Sequence, residues 1–266
     1  MIKRQIYRSM IENFLIILAF NWFVVTLLWF STLKIKRADF IDIYWGPSFF
    51  FSALLIFFLD NNFTLANFII LILVGIWGLR LALYLFFRNI KKDEDKRYVK
   101  IRASIGNIGL YFITYMIQVI LIGLVSLPIQ ILIIQTESAN LNLISLIGIA
   151  MTLSGIVIES IADYQISKFK LIPNNKGKLM DKGLWQFSRH PNYFGDSLFW
   201  WGIFIFSYGY TSNLFIIISP IIMTYFLIKV SGVALLERQL KYKKEGYEDY
   251  INTTSSFLLM PKKNKK

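Results

Sequence analysis

Long apolar blocks alternate with short charge-dense loops along this chain, and no other feature narrows its possible folds so much. A run of about 20 apolar residues spans the hydrocarbon core of a bilayer as one helix, because backbone groups there have no water to bond and must satisfy each other within the segment. About seven such runs can be read, at 11–33, 40–59, 65–87, 109–134, 143–162, 193–210 and 213–236. Only Tyr210, Thr211 and Ser212 part the last two, so a tight helical hairpin is expected there. No internal repeat, low-complexity tract or linker interrupts the pattern. The expected fold is an all-α integral membrane protein, a bundle of about seven transmembrane helices forming one membrane domain over 1–266.

The net charge of +13 would point to nucleic acid in a soluble protein. Its placement argues for a membrane and against a nucleic-acid partner. Lys34, Lys36 and Arg37 lie in the first loop, seven Lys/Arg between Arg88 and Arg102, six between Lys168 and Arg189, and eight from Arg238 onward, while the even-numbered loops carry none. Lysine and arginine accumulate in cytoplasmic loops, which places the odd-numbered loops and the C-terminus in the cytoplasm. Seven spans then put the N-terminus outside, against the weaker signal of Lys3, Arg4 and Arg8. The expected location is a multi-pass membrane protein of a bacterial inner membrane or an endomembrane. The first apolar run is longer than a signal-peptide core and lacks a small-residue cleavage site, so it reads as a retained helix. With no cysteine and one histidine, thiolate chemistry is excluded and no metal centre is expected.

Ionisable residues inside apolar spans are costly and face a bundle interior or a wet cavity. In the third span Arg80, Tyr84 and Arg88 follow one another at spacings of four, with Trp77 one turn earlier. Arg88 alone fits a side chain snorkelling to the interface, whereas Arg80 lies deeper. Near the end of the fifth span Glu159 and Asp163 share a face, which Lys170 continues if the helix persists. Two readings fit these carboxylates: pairing with interfacial lysines, or hydrogen bonding to ribose or amide groups of a cofactor. The stretch GLWQFSRHPNYFGDSLFWWG at 183–202 is the most informative. Pro191 stands where a helix can begin, and that helix carries Asn192, Asp196 and Trp200 on one face. Arg189 and His190 put donors at its start, with Tyr193 beside them. A lone histidine is more often a structural hydrogen bonder, but its neighbours here are Arg, Asn, Tyr and Asp.

At this stretch the sequence resembles the DUF1295 family, within the superfamily of steroid 5-alpha-reductases and isoprenylcysteine carboxyl methyltransferases. The shared motifs are DIYWG at 42–46, WGLRLALYLFFR at 77–88, DKRY at 95–98, ESIADYQISKFK at 159–170, RHPNYFGD at 189–196 and SGVALLE at 231–237. GYEDY at 246–250, Phe257 and Pro261 extend a family-like core over 40–261. The resemblance implies a helical bundle with a cytoplasmic-side cofactor pocket that opens to a lipidic substrate in the membrane. In the steroid-reductase relatives the cofactor is NADPH. Matching motifs place Asp163, Lys170, Lys178, Asn192, Tyr193, Asp196 and Trp200 on or beside cofactor-binding positions, with Arg189, His190 and Glu237 flanking them, and Arg80, Tyr84 and Arg88 on the third-helix cofactor face. On the catalytic side, Trp77 stands where those reductases carry a ketone-polarising tyrosine, Asp42 or Tyr44 replaces a second-helix glutamate, and Glu237 stands in place of a histidine-rich C-terminal cluster.

The leading expectation is an NADPH-dependent oxidoreductase reducing a carbon–carbon double bond conjugated to a carbonyl in a steroid-like or isoprenoid lipid. Its partners are then a lipidic small molecule entering from the membrane and the bilayer itself; the sequence does not speak to oligomeric state. RHPNY with a late Glu, Gly-Tyr and Pro is also similar to the isoprenylcysteine and phospholipid methyltransferases, for which the cofactor is S-adenosylmethionine. A non-catalytic lipid-binding membrane protein is the third reading.

Overall fold

The structure is a computed structural model, and it describes residues 2–90, 92–136, 140–230, 232–233, 237 and 246–263, with side chains described from Met10 onward. Among the described residues there is no strand, only an isolated parallel bridge between Ser188 and Ser255. Five helical stretches among the described residues are long and apolar enough to cross a membrane: Met10–Ile35, Phe40–Asp60, Leu65–Asn89, Lys96–Val125 and Leu143–Leu171. The chain is thus all-helical and has the make-up of a multi-pass membrane protein. Most of the basic run after Arg238 and much of SGVALLE lie outside the described residues.

The chain divides into two compact units, Met1–Asn142 with Ser207–Ile216, and Leu143–Phe206 with Ile217–Lys266. The first contains α1 (Ile2–Ile35), α2 (Phe40–Asp60), α3 (Leu65–Asn89), α4 (Lys96–Leu110), a π-helical turn (Tyr111–Met116), α5 (Ile117–Val125) and α6 (Leu127–Gln135). Thr64 opens α3 by accepting a hydrogen bond from the Asn67 N–H at 3.3 Å, the usual work of a hydroxyl at that position. Helices α2 and α3 cross with their backbones in contact at Gly46 and Gly78, where a Cβ on either would collide with the carbonyl of the other. Both glycines belong to the motifs DIYWG and WGLR, so their shared requirement is close approach. Within this unit, Val25, Ala38, Ile41, Tyr98, Leu110, Tyr115 and Val119 form a buried cluster.

The span expected at 109–134 is built from pieces. Helix starts earlier, at Lys96, where Asp95 caps it, and bends at Gly106, whose φ of 72° is left-handed. It ends at Val125; Ser126 and Pro128 then open α6, since proline lacks the N–H that a continuing helix needs but suits a first turn.

The second unit contains α7 (Leu143–Leu171), short 3₁₀ turns at Pro173–Asn175 and Gly183–Gln186, the greater part of α8 (Pro191–Thr211), α9 (Ile218–Tyr225), a π-helical turn (Phe226–Val230) and α10 (Tyr247–Thr253). Helix α8 begins at Pro191, and α7 runs past 162 to carry Lys168 and Lys170 in its last turn, where cations suit the negative end of the helix dipole. The two helices cross closely: a Cβ on Gly148 would strike the Phe206 backbone, one on Gly155 the Phe199 backbone, one on Gly195 the Glu159 backbone, and one on Gly202 the backbone of Thr152. After α8 the chain turns at Ser212, with φ 50°, into Leu214–Ile217. Thr224 of α9 then meets α8, through Ser197 at 2.8 Å and the Trp201 indole at 3.2 Å.

Candidate functional site

In the second unit, the glycine-tight crossing brings the conspicuous polar residues of α7 and α8 together. Because Gly155 and Gly195 allow backbone contact, Glu159 and Asp163 are buried beside the start of α8. Asn192 donates Nδ2 to Asp163 Oδ1 at 3.3 Å, and Asp163 is only 3% exposed. The Asn192 Oδ1 is buried and has no hydrogen-bond partner among the described residues. A buried acceptor in that state favours a ligand that brings an N–H or O–H. Asp196 and Trp200 are buried on the same α8 face, as their spacing implied. Lys170 and Lys178 are exposed.

The start of α8 is fastened by the C-terminal segment. Arg189 reaches Glu237 Oε1 with Nε at 2.8 Å and Nη2 at 2.6 Å, while its Nη1 donates to the carbonyls of Ile251 at 3.0 Å and Thr254 at 2.6 Å. Its backbone N–H donates to Ser255 O, and Ser188 Oγ donates to Phe257 O. Tyr250 Oη closes the loop by donating to the Trp185 carbonyl. The guanidinium of Arg189 is thereby committed to protein acceptors, which makes it a clasp. His190 is buried, stacks on Tyr193 at 5.6 Å with ring planes 12° apart, and sets Nε2 3.5 Å from Glu237 Oε1. Burial pushes the Glu237 carboxyl up, yet the close approach of His190 and the hydrogen bond and charge of Arg189 outweigh it, leaving it below the usual glutamate range.

In the first unit, Trp77 is fully buried and packs on Phe49 at 5.9 Å. Arg80 and Tyr84 are half-buried on the same α3 face, and the exposed Arg88 sits over the Tyr84 ring at 5.4 Å. Asp42 accepts from Tyr98 Oη at 2.5 Å and faces the Arg97 guanidinium at 3.3 Å. Tyr44 donates to Asn21 Oδ1 at 2.9 Å, and Asn21 Nδ2 in turn donates to Ser52 Oγ and the Ile17 carbonyl. Neither Arg97 nor Tyr98 was singled out from sequence, although both stand in DKRY. Burial pushes Asp95 up, but hydrogen bonds from the Arg97 side chain and backbone outweigh it, and the carboxyl lies below its usual range.

The family model described as "Protein of unknown function (DUF1295)" matches residues 28–254. The chain belongs to the DUF1295 family. The match takes in every motif from DIYWG to GYEDY, while Phe257 and Pro261 fall beyond it. Comparison with curated proteins and with solved structures gives no match. The DUF1295 motifs divide by task in this geometry: glycines of DIYWG, WGLR and RHPNYFGD set helix crossings, and RHPNY with GYEDY ties the head of α8 to the C-terminal segment.

Proposed function

We propose that the protein is a membrane reductase that uses NADPH to reduce a carbon–carbon double bond conjugated to a carbonyl in a lipidic substrate. The observation that carries this reading is the Asp163–Asn192 pair. Asp163 holds the amide nitrogen, so the buried Asn192 oxygen is fixed as an acceptor, a fit for the N–H of a carboxamide or the O–H of a ribose. Lys170 and Lys178, exposed in the same unit, supply mobile ammonium groups for the phosphates. NADPH, when bound, supplies the hydride.

The chain's own part is to bind, orient and keep water away. The Arg189 clasp fixes the start of α8 and so the direction of the Asn192 side chain. On the substrate side, the resemblance assigns the Trp77 indole N–H, with Tyr44 and Asp42, to the carbonyl whose charge grows as reduction proceeds. Arg80, Tyr84 and Arg88 keep the cofactor role that the resemblance gives them. In the same reading α8 and the apolar Leu214–Val230 stretch complete about seven crossings, and the basic loops and C-terminus face the cytoplasm.

A second reading, an S-adenosylmethionine-dependent methyltransferase, draws on the Arg189–Glu237 link, which joins RHPNY to a late glutamate. Titration of detergent-purified protein with NADPH, NADH and S-adenosylmethionine separates the two. Replacing Lys170 and Lys178 together by Gln is expected to weaken NADPH and leave NADH nearly unchanged, because only NADPH carries the 2′-phosphate. Tighter binding of S-adenosylmethionine than of either dinucleotide would overturn the reductase reading. NADPH bound without oxidation on any enone-containing lipid extract would favour a non-catalytic lipid-binding role.

A further inference from the structure

Among the described residues, the donors that reach Glu237 converge on one of its two oxygens. Arg189 Nε, Arg189 Nη2 and His190 Nε2 all approach Oε1, at 2.8, 2.6 and 3.5 Å. No described residue donates a hydrogen bond to Oε2, and the side chain keeps 24% of its surface exposed. This carboxylate is anchored by one oxygen, and the other has acceptor capacity to spare.

Tyr247, the first residue of α10, supplies the complement. Its side chain is packed against Tyr250, with ring centroids 6.2 Å apart, and the residue is 3% exposed. Its Oη is buried and has no hydrogen-bond partner among the described residues. A phenol could satisfy its ring with the edge of a phenylalanine; a buried hydroxyl without a partner is a standing cost to the fold. Burial pushes this hydroxyl up to about 12, and the nearby Glu237 charge adds to that, so at neutral pH it is a donor.

We propose that Tyr247 Oη and Glu237 Oε2 form a donor–acceptor pair for the vicinal hydroxyls of a cofactor ribose, with Tyr247 donating to one ribose oxygen and Glu237 accepting from the neighbouring hydroxyl. The inference rests on the reading of the protein as a cofactor-dependent enzyme. A diol fits better than a phosphate because the Arg189 guanidinium is already engaged by Glu237 and by two carbonyls, while a carboxylate oxygen accepts from a hydroxyl. Of the two riboses of NADPH only the one that bears the nicotinamide keeps both hydroxyls, because the other carries the 2′-phosphate, so the nicotinamide ribose is the one this pair takes.

The test is Tyr247→Phe, which removes one oxygen and keeps the ring. Thermal unfolding of the cofactor-free variant in detergent should equal or exceed that of the parent, since an unsatisfied hydroxyl is lost. NADPH binding should weaken about tenfold, as for one lost hydrogen bond in a dry site. A clear fall in unfolding temperature would mean the hydroxyl has a protein partner, and the pair is wrong. Unchanged NADPH affinity in the variant would likewise overturn the pair while leaving the reductase reading intact. Should the parent bind S-adenosylmethionine and not NADPH, with Tyr247→Phe weakening it about tenfold, the pair stands and the reductase reading falls. A parent that binds neither cofactor overturns both.

Discussion

Asn192 donates Nδ2 to Asp163 Oδ1 at 3.3 Å, and this bond decides which end of the amide is offered outward. One carboxylate on α7 thereby gives a residue at the head of α8 a fixed polarity. The arrangement depends on Gly155 and Gly195, which bring the two helices into backbone contact.

Replacing Asn192 by Asp sets two carboxylates against each other where Asp163 is almost fully buried. A buried charge that loses its partner costs roughly 3–5 kcal/mol. Asn192→Asp should lower the unfolding temperature sharply and abolish NADPH binding. Asn192→Leu should fold better than Asn192→Asp while binding no better, and the two can be compared by thermal unfolding and cofactor titration.

Gly195→Ala forces a Cβ into the Glu159 backbone, so overpacking of about 1–3 kcal/mol is expected. Ser154, exposed on another face of α7 with its hydroxyl donating to the Ala150 carbonyl, gives the control. Ser154→Ala should stay within about 0.5 kcal/mol of the parent. Equal stability of the two variants would mean the helices do not cross at these glycines.

Glu237 lies below its ordinary value of 4.5. A carboxyl depressed on folding contributes stability that is present above the unfolded value and is lost as pH falls through the folded one. Between about pH 5 and pH 3 the parent should therefore lose unfolding temperature more steeply than Glu237→Gln, which has no such proton to gain. Parallel slopes would count against the Arg189–Glu237 link.

Reporters fused in the loop around Asp95 and after Lys266 should both prove cytoplasmic, as the lysine and arginine distribution requires. An external location for either would reverse the orientation assigned to the motifs.

The helices that apolar length alone defines were legible. Sequence placed spans at 40–59 and 65–87, and helices run over Phe40–Asp60 and Leu65–Asn89. The face shared by Asp163 and Lys170 also followed from spacing, since α7 persists to Leu171. What escaped was set by local chemistry and by contacts distant in sequence. Gly106 and Pro128 each divide a run whose hydropathy is continuous. The run read at 193–210 is also a helix, Pro191–Thr211, of the length of a span, although its Gly, Ser, Tyr and Asp residues make it less apolar than the other five. Arg189 read as a donor for a ligand because nothing nearby in sequence accepts from it; its carbonyl partners lie 62 and 65 residues onward. Tyr98 went unassigned because its partner Asp42 sits 56 residues earlier.

The Arg189 clasp also sets an order of events during biosynthesis. Translation delivers this guanidinium 65 residues before the Thr254 carbonyl that receives it, so the start of α8 emerges with a cation that no completed acceptor set can yet neutralise. Domains fold as units in the order of synthesis, but this unit cannot finish until its latest-made segment has returned to its middle. Maturation of the site is therefore timed by arrival of residues around 251–257, after the preceding helices have already been made, and a nascent chain halted short of them carries the motif RHPNY without the geometry that gives it a use.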